Sequence, residues 1–181
     1  MDRLTTLLEQ FDLRARTYHR GPLCGSVHHD EREGVAHLHL LRDGRLTVID
    51  ADGGPMELAG PTVLFYPRPR SHSLHTPPGV PVDLVCAAIA FGTAIENPVL
   101  RSLPSLLVIP LGAAPPLAAT LQLLFDEAFS RRCGHPMAVD RLAEVLMVQL
   151  LRYAIEERLA DAGLMAGLAD TRLAKALTAV H

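Results

Sequence analysis

Charge of one sign is what this chain most plainly lacks: 17 lysines and arginines stand against 20 aspartates and glutamates, leaving a formal net charge of -3. A chain this weakly acidic carries no electrostatic footprint for nucleic acid, so any DNA contact has to come from sequence outside it. Cysteine is scarce as well. Cys24, Cys86 and Cys133 are an odd, sparse set, which argues against a disulfide scaffold and for a reducing compartment. No apolar run is long enough to span a bilayer; the stretch from 82 to 91 is broken by Asp83. The start carries Asp2 and no apolar signal-peptide core, so the chain is expected to be cytoplasmic, with no membrane partner. Aromatics are only 4% of the residues, yet 49% are hydrophobic, enough for a real core and too many for a disordered chain.

What is present falls into two halves with different periods. Leu4, Leu7, Leu8 and Phe11 first mark a short helix face. From about Thr17 to Val108, apolar stretches of strand length alternate with turn signals such as Gly21-Pro22, Asp43-Gly44, Gly60-Pro61 and Pro77-Pro78-Gly79. That spacing predicts antiparallel strands in a sandwich or small barrel, with Asp43-Gly44 as a hairpin turn. After Pro115-Pro116 the period becomes helical. Leu117, Leu121, Leu124, Phe125 and Ala128 form one stripe, and Cys133-Gly134-His135-Pro136 interrupts it. A longer helix is expected from about Ala138 to Asp161. It is apolar on more than one face, so it is either buried within its own chain or shared with a partner. A last helical segment begins at the N-cap Asp170 and runs to His181 without a C-cap, which suggests more protein beyond.

Seven of the nine histidines fall between positions 19 and 75. His37 and His39 flank Leu38 in a strand-like stretch, and residues i and i+2 of a strand share a face. The pair either lines an ordinary interior or solvated face, or contacts a metal or small ligand. His72, after Pro67 and Pro69, comes from a different strand and would supply convergence. Neutral imidazole suits zinc, iron, nickel and copper. Cys24 and Cys86 are either a loop residue and a small core hydrophobe, or members of the same cluster. In the second case they favour zinc. Without metal they would form a reversible disulfide, a redox switch. His28, His29, His75 and Cys133 read as structural. No Ser-His-Asp set, phosphate loop or paired catalytic carboxylates is evident.

His37-Leu38-His39 and Pro67-Arg68-Pro69-Arg70-Ser71-His72 resemble the two cupin motifs. Pro69 stands where the second motif has glycine, and Asp43 stands at the position of the first motif's glutamate. A broader likeness runs through His37 to Arg42, Phe65 to Pro69, Asp83 to Cys86, Asn97 to Leu100, Leu103-Pro104 and Glu144 to Arg152. In that order these stretches are similar to the N-terminal cupin-type sensor domain of AraC/XylS-type transcriptional regulators. The resemblance implies an α+β chain: a cupin-like antiparallel β-barrel (double-stranded β-helix or jelly roll) over residues 1–112, a helical dimerisation hairpin over 113–165, and a linker with the first helix of a DNA-binding domain over 166–181. It implies a domain that senses an effector, metal or oxidant and does not catalyse. Homodimers would form through the helices, and DNA would be reached only through helix-turn-helix units absent here. The metal ligands expected are His39, His72, Cys86 and Cys24, with His37 added on the shared-face argument, and the metal is zinc or another divalent transition metal. A metal-dependent cupin dioxygenase or isomerase and a structural zinc barrel are the rival readings.

Overall fold

The computed structural model describes residues 12–31, 35–51, 53–92 and 98–160. The helices expected near residues 4–11 and 170–181, and Asn97, lie outside them. The elements are β1 (Leu13–Leu23), β2 (Ser26–His29), β3 (Ala36–Leu41), β4 (Arg45–Asp50), β5 (Pro55–Ala59), β6 (Thr62–Tyr66), β7 (His72–His75), β8 (Val82–Phe91), the short helix α1 (Pro98–Ser102), β9 (Leu107–Pro110), a 3-10 turn Leu111–Ala113, and the helices α2 (Pro115–Ala128) and α3 (His135–Glu156).

The strands pair antiparallel in two sheets, ordered β1-β8-β3-β6-β9 and β2-β7-β4-β5. The first eight strands are shared equally between the sheets in jelly-roll order, the double-sheet architecture expected of a cupin. Asp43-Gly44 is therefore not a hairpin turn. It carries the chain from β3 in one sheet to β4 in the other, and the hairpin proper joins β4 to β5. The β3–β4 and β5–β6 turns touch: the Gly60 N–H donates to the Gly44 carbonyl at 3.0 Å, and a Cβ on Gly60 would stand 2.7 Å from the Asp43 Cα.

Strand β3 is buried on both faces, which the alternating period alone does not reveal. Its Leu38 and Leu40 join Val63, Phe65, Val85 and Ile89 on the outer face of the five-stranded sheet, under α2 and α3. The buried residues of α2 are the predicted stripe: Leu117, Leu121, Leu124, Phe125 and Ala128. Helix α3 begins three residues before the predicted start, because Gly134 at φ 79° turns the chain and Pro136 fits the first helical turn. Its apolar surface is divided, with Val145 and Ile155 left 48% and 39% exposed. Val139, Leu146, Met147 and Leu150 are fully buried in the cluster shared with α2 and the sheet.

Helix α3 is also tied to the sheet by polar contacts. Strand β1 is an edge strand, and its outward N–H groups need acceptors. The Thr17 N–H donates to Asp140 Oδ1 at 2.8 Å, and the Ala15 N–H donates to Glu144 Oε1 at 3.3 Å. Carboxylates spaced four apart on one helix face thus complete the edge of the sheet.

Candidate functional site

The space between the sheets is divided along its length. One end is apolar, filled by Leu41, Leu46, Val48, Leu74, Val82 and Leu84. The other end is imidazole. Following β3 toward its start, Leu41 gives way to His39 and then His37 on the same face, and on β7 Leu74 gives way to His72. Strand β2 places His29 opposite His72 in register. His37 and His39 thus come from the five-stranded sheet and His29 and His72 from the four-stranded one. All four are at most 5% exposed. Apolar side chains would fill such an interior without the desolvation that four imidazoles suffer, so the packing of the core does not account for them.

The rings lie against one another. His29 is 4.9 Å from His72 and stacked, 5.0 Å from His39 and 4.7 Å from His37 between centroids. His39 Nε2 and His72 Nε2 are 2.8 Å apart. His72 Nδ1 is 2.8 Å from the Arg70 carbonyl, an acceptor that requires the proton on Nδ1 and directs the Nε2 lone pair inward. One proton, on His39 Nε2, then serves two nitrogens. Burial holds His39 well below the ordinary imidazole value, with the neighbouring His72, His29 and His37 acting in the same direction. The neutral form, which is the one that binds metal, is therefore favoured.

Among the described residues, the ligand atoms close enough to share one ion belong to His29, His39 and His72, all within 4.8 Å of one another. Tetrahedral zinc holds imidazole nitrogens about 3.4 Å apart, so the His39–His72 pair would open by roughly half an ångström to admit it. His72 already has the carbonyl partner that orients a metal-binding imidazole. His39 Nδ1, by contrast, is buried with no hydrogen-bond partner among the described residues. In nitrogen type, spacing and neutral charge the three residues fit a divalent transition metal once the His39 proton moves from Nε2 to Nδ1.

The structure brings His39 and His72 together as the sequence suggested. It adds His29, which sequence reasoning placed in a charged loop because Asp30-Glu31-Arg32-Glu33 follows directly. The one sequence signal was the i, i+2 placement of Val27 and His29, and a four-residue strand is too short for it to stand out. His37 lies beside the group but outside the close set, its Nδ1 3.1 Å from the Tyr18 hydroxyl. Cys86 is buried as the cross-strand neighbour of His39, and its thiol shares a hydrogen bond with Tyr18. It too is outside the close set, and burial pushes its thiol up, toward the protonated form.

Cys24 is exposed. Cys86 pairs with His19, and Cys24 lies five residues further along the chain. At ~3.3 Å per strand residue that is roughly 16 Å, against the ~7 Å limit between Cα atoms for a disulfide. Both thiols are free, and the redox pair expected of them has no geometric support.

Two tyrosines complete the surroundings. Tyr66, fully buried, stacks on His72 with centroids 3.9 Å apart, and its hydroxyl has no partner among the described residues. Tyr18 is 47% exposed and packs against His29 and His37. A register shift between Thr17 and His19 marks a β-bulge at Tyr18, the device by which an edge strand re-aims a side chain. On the rim, Arg70 and Asp50 form a 2.5 Å ion pair beside His72.

A family model described as cupin matches residues 2–156. Among curated proteins, the chain is 29% identical to a Streptomyces lividans protein named as an AraC-like transcription regulator, over 81% of this chain and 57% of that protein. It is 25% identical to a Haemophilus influenzae protein named as an HTH-type transcriptional regulator, over 99% of this chain and 67% of that protein. The chain therefore spans little more than half the length of its Streptomyces relative. Among solved structures, it aligns with ToxT from Vibrio cholerae at 10% identity, covering 81% of this chain and 57% of that one, with a TM-score of 0.49.

Proposed function

Because the chain belongs to the cupin family, we propose that it is the effector-sensing part of an AraC-type transcriptional regulator, and that its sensing centre is a divalent transition metal, zinc foremost, held by His29, His39 and His72. The observation that carries the metal is the convergence of those three buried imidazoles from two sheets, with ligand atoms within 4.8 Å of one another. What supports the regulator is the set of relatives, named as transcription regulators and longer than this chain.

The coupling follows from the fold. A ligand acts only through different affinities for two states of the protein. Here the sheet carrying His37 and His39 is the sheet on whose other face α2 and α3 lie, so a change in strand position at the imidazoles reaches the helices through Leu38, Leu40 and the Asp140–Thr17 bond. The output is a reorientation of DNA-binding units attached beyond the helices. In this reading the chain is not an enzyme, acts in the cytoplasm, and pairs with a second copy through its helices, where Leu123 and Val145 are about half exposed.

The test is a zinc titration followed by thermal unfolding. At a zinc concentration about a hundred times Kd, stabilisation is about 2.7 kcal/mol, a rise of roughly 5–11 °C for a domain of this size. His29→Ala and His72→Ala should abolish the rise. A regulator containing this chain should then shift DNA in a zinc-dependent way, and the chain by itself should not. Unfolding temperatures indifferent to zinc would remove the metal from the proposal.

A further inference from the structure

We infer that His37 is not a ligand of this metal but the hydrogen-bond donor to an anion bound on it, held in that role by Tyr18, and that the effector is a small carboxylate. The inference rests on the metal reading above and extends it to the ligand.

Three neutral imidazoles bring no negative charge. A dication held by them keeps its full charge in a buried place, where an uncompensated charge is costly. Among the described residues no carboxylate or thiol belongs to the close set. Asp50, level with His72 in the register of β4 and β7, is already paired with Arg70. None of the described residues therefore supplies the compensating anion, and a bound effector takes that place.

His37 stands where such an anion needs its second contact. It is 1% exposed, parallel to His39 at 5.8 Å and 5.4 Å from His72 between centroids, yet it is not one of the three close donors. The Tyr18 hydroxyl is 3.1 Å from His37 Nδ1. With the phenol donating, the imidazole proton sits on Nε2, and the ring presents an N–H rather than a lone pair. A metal and an adjacent N–H make a two-point receptor for the two oxygens of a carboxylate, one on the ion and one on the imidazole. Tyr18, half exposed and delivered by the bulge of an edge strand, is the most exposed of the side chains packed on these rings. All four imidazoles are at most 5% exposed, so the guest that reaches them is a small molecule.

The experiment uses the full chain loaded with cobalt(II), whose visible spectrum reports its coordination, titrated with sodium acetate, sulfate and chloride. Acetate should change the spectrum saturably. His37→Ala should bind cobalt like the wild type but acetate about tenfold more weakly, the loss of one hydrogen bond to a charged group. Tyr18→Phe, at a half-exposed position that the fold tolerates, should keep cobalt and weaken acetate several-fold. His29→Ala should lose cobalt.

If His37→Ala loses cobalt as His29→Ala does, His37 is a ligand and the inference falls while the metal reading stands. The inference also falls if acetate leaves the spectrum unchanged, if chloride or sulfate binds in preference, or if a thiolate-to-cobalt band shows that Cys86 supplies the charge. If the wild type binds no cobalt or zinc, both fall together.

Discussion

Replacing Asp140 isolates the contact by which α3 holds the sensing sheet. Its carboxylate accepts the Thr17 N–H at 2.8 Å, across a half-buried boundary between elements 123 residues apart in sequence. Thr17 immediately precedes Tyr18, so the same bond fixes the bulge that aims the phenol at His37. A hydrogen bond to a charged group contributes about 1.5–3 kcal/mol, and removing one partner leaves the other desolvated. Asp140→Ala should therefore cost about 2 kcal/mol. Asp140→Asn keeps an acceptor without its charge and should cost about 1 kcal/mol. With a urea dependence of about 2 kcal/mol per molar, the unfolding midpoint should fall by about 1 M and about 0.5 M respectively. Amide hydrogen exchange should quicken at Thr17 before it does in β3, which is covered on both sides. Equal losses for the two variants, or a loss below about 0.5 kcal/mol for alanine, would show that water replaces the carboxylate freely and that the helix is not anchored there.

Stability should also depend on pH in a definite direction. His39 has a folded-state value well below that of the unfolded chain, first because of burial and next because of His72. The metal-free protein should keep its full stability above about pH 6.5 and lose it as the pH falls, at up to about 1.4 kcal/mol per pH unit for this one proton. Urea midpoints taken down to about pH 5 measure it; His39→Asn should flatten the slope, and a midpoint that holds steady or rises in acid contradicts it. Gly60→Ala should cost about 1–3 kcal/mol, because its Cβ meets the Asp43 backbone at 2.7 Å. Gly54→Ala, with nothing within 4 Å, should stay within about 0.5 kcal/mol in the same denaturation assay.

Much of this fold is legible in the residues. Turn signals between short apolar runs define the strands, and the α2 stripe is buried as its 3.6-residue period requires. The i, i+2 rule puts His37 and His39 on one face, and both are buried. Strand pairing was less legible. A turn such as Asp43-Gly44 has the same chemistry whether it closes a hairpin or bridges two sheets, and only long-range register separates the cases. The same limit hid His29. A four-residue strand ending at a charged segment has too little period to show its buried face. Cys24 misled for the converse reason, since residue type suggested a ligand at a position just past the end of β1, far from the imidazoles along that strand.

X-ray absorption of the zinc-loaded protein bears most directly on the central claim, because it counts the atoms bound to the metal. A shell of three imidazole nitrogens and a light oxygen donor at about 2.0–2.1 Å, reduced by one imidazole in His29→Gln, is the result expected of His29, His39 and His72. A sulfur shell near about 2.3 Å, or protein that leaves gel filtration without zinc, would contradict it.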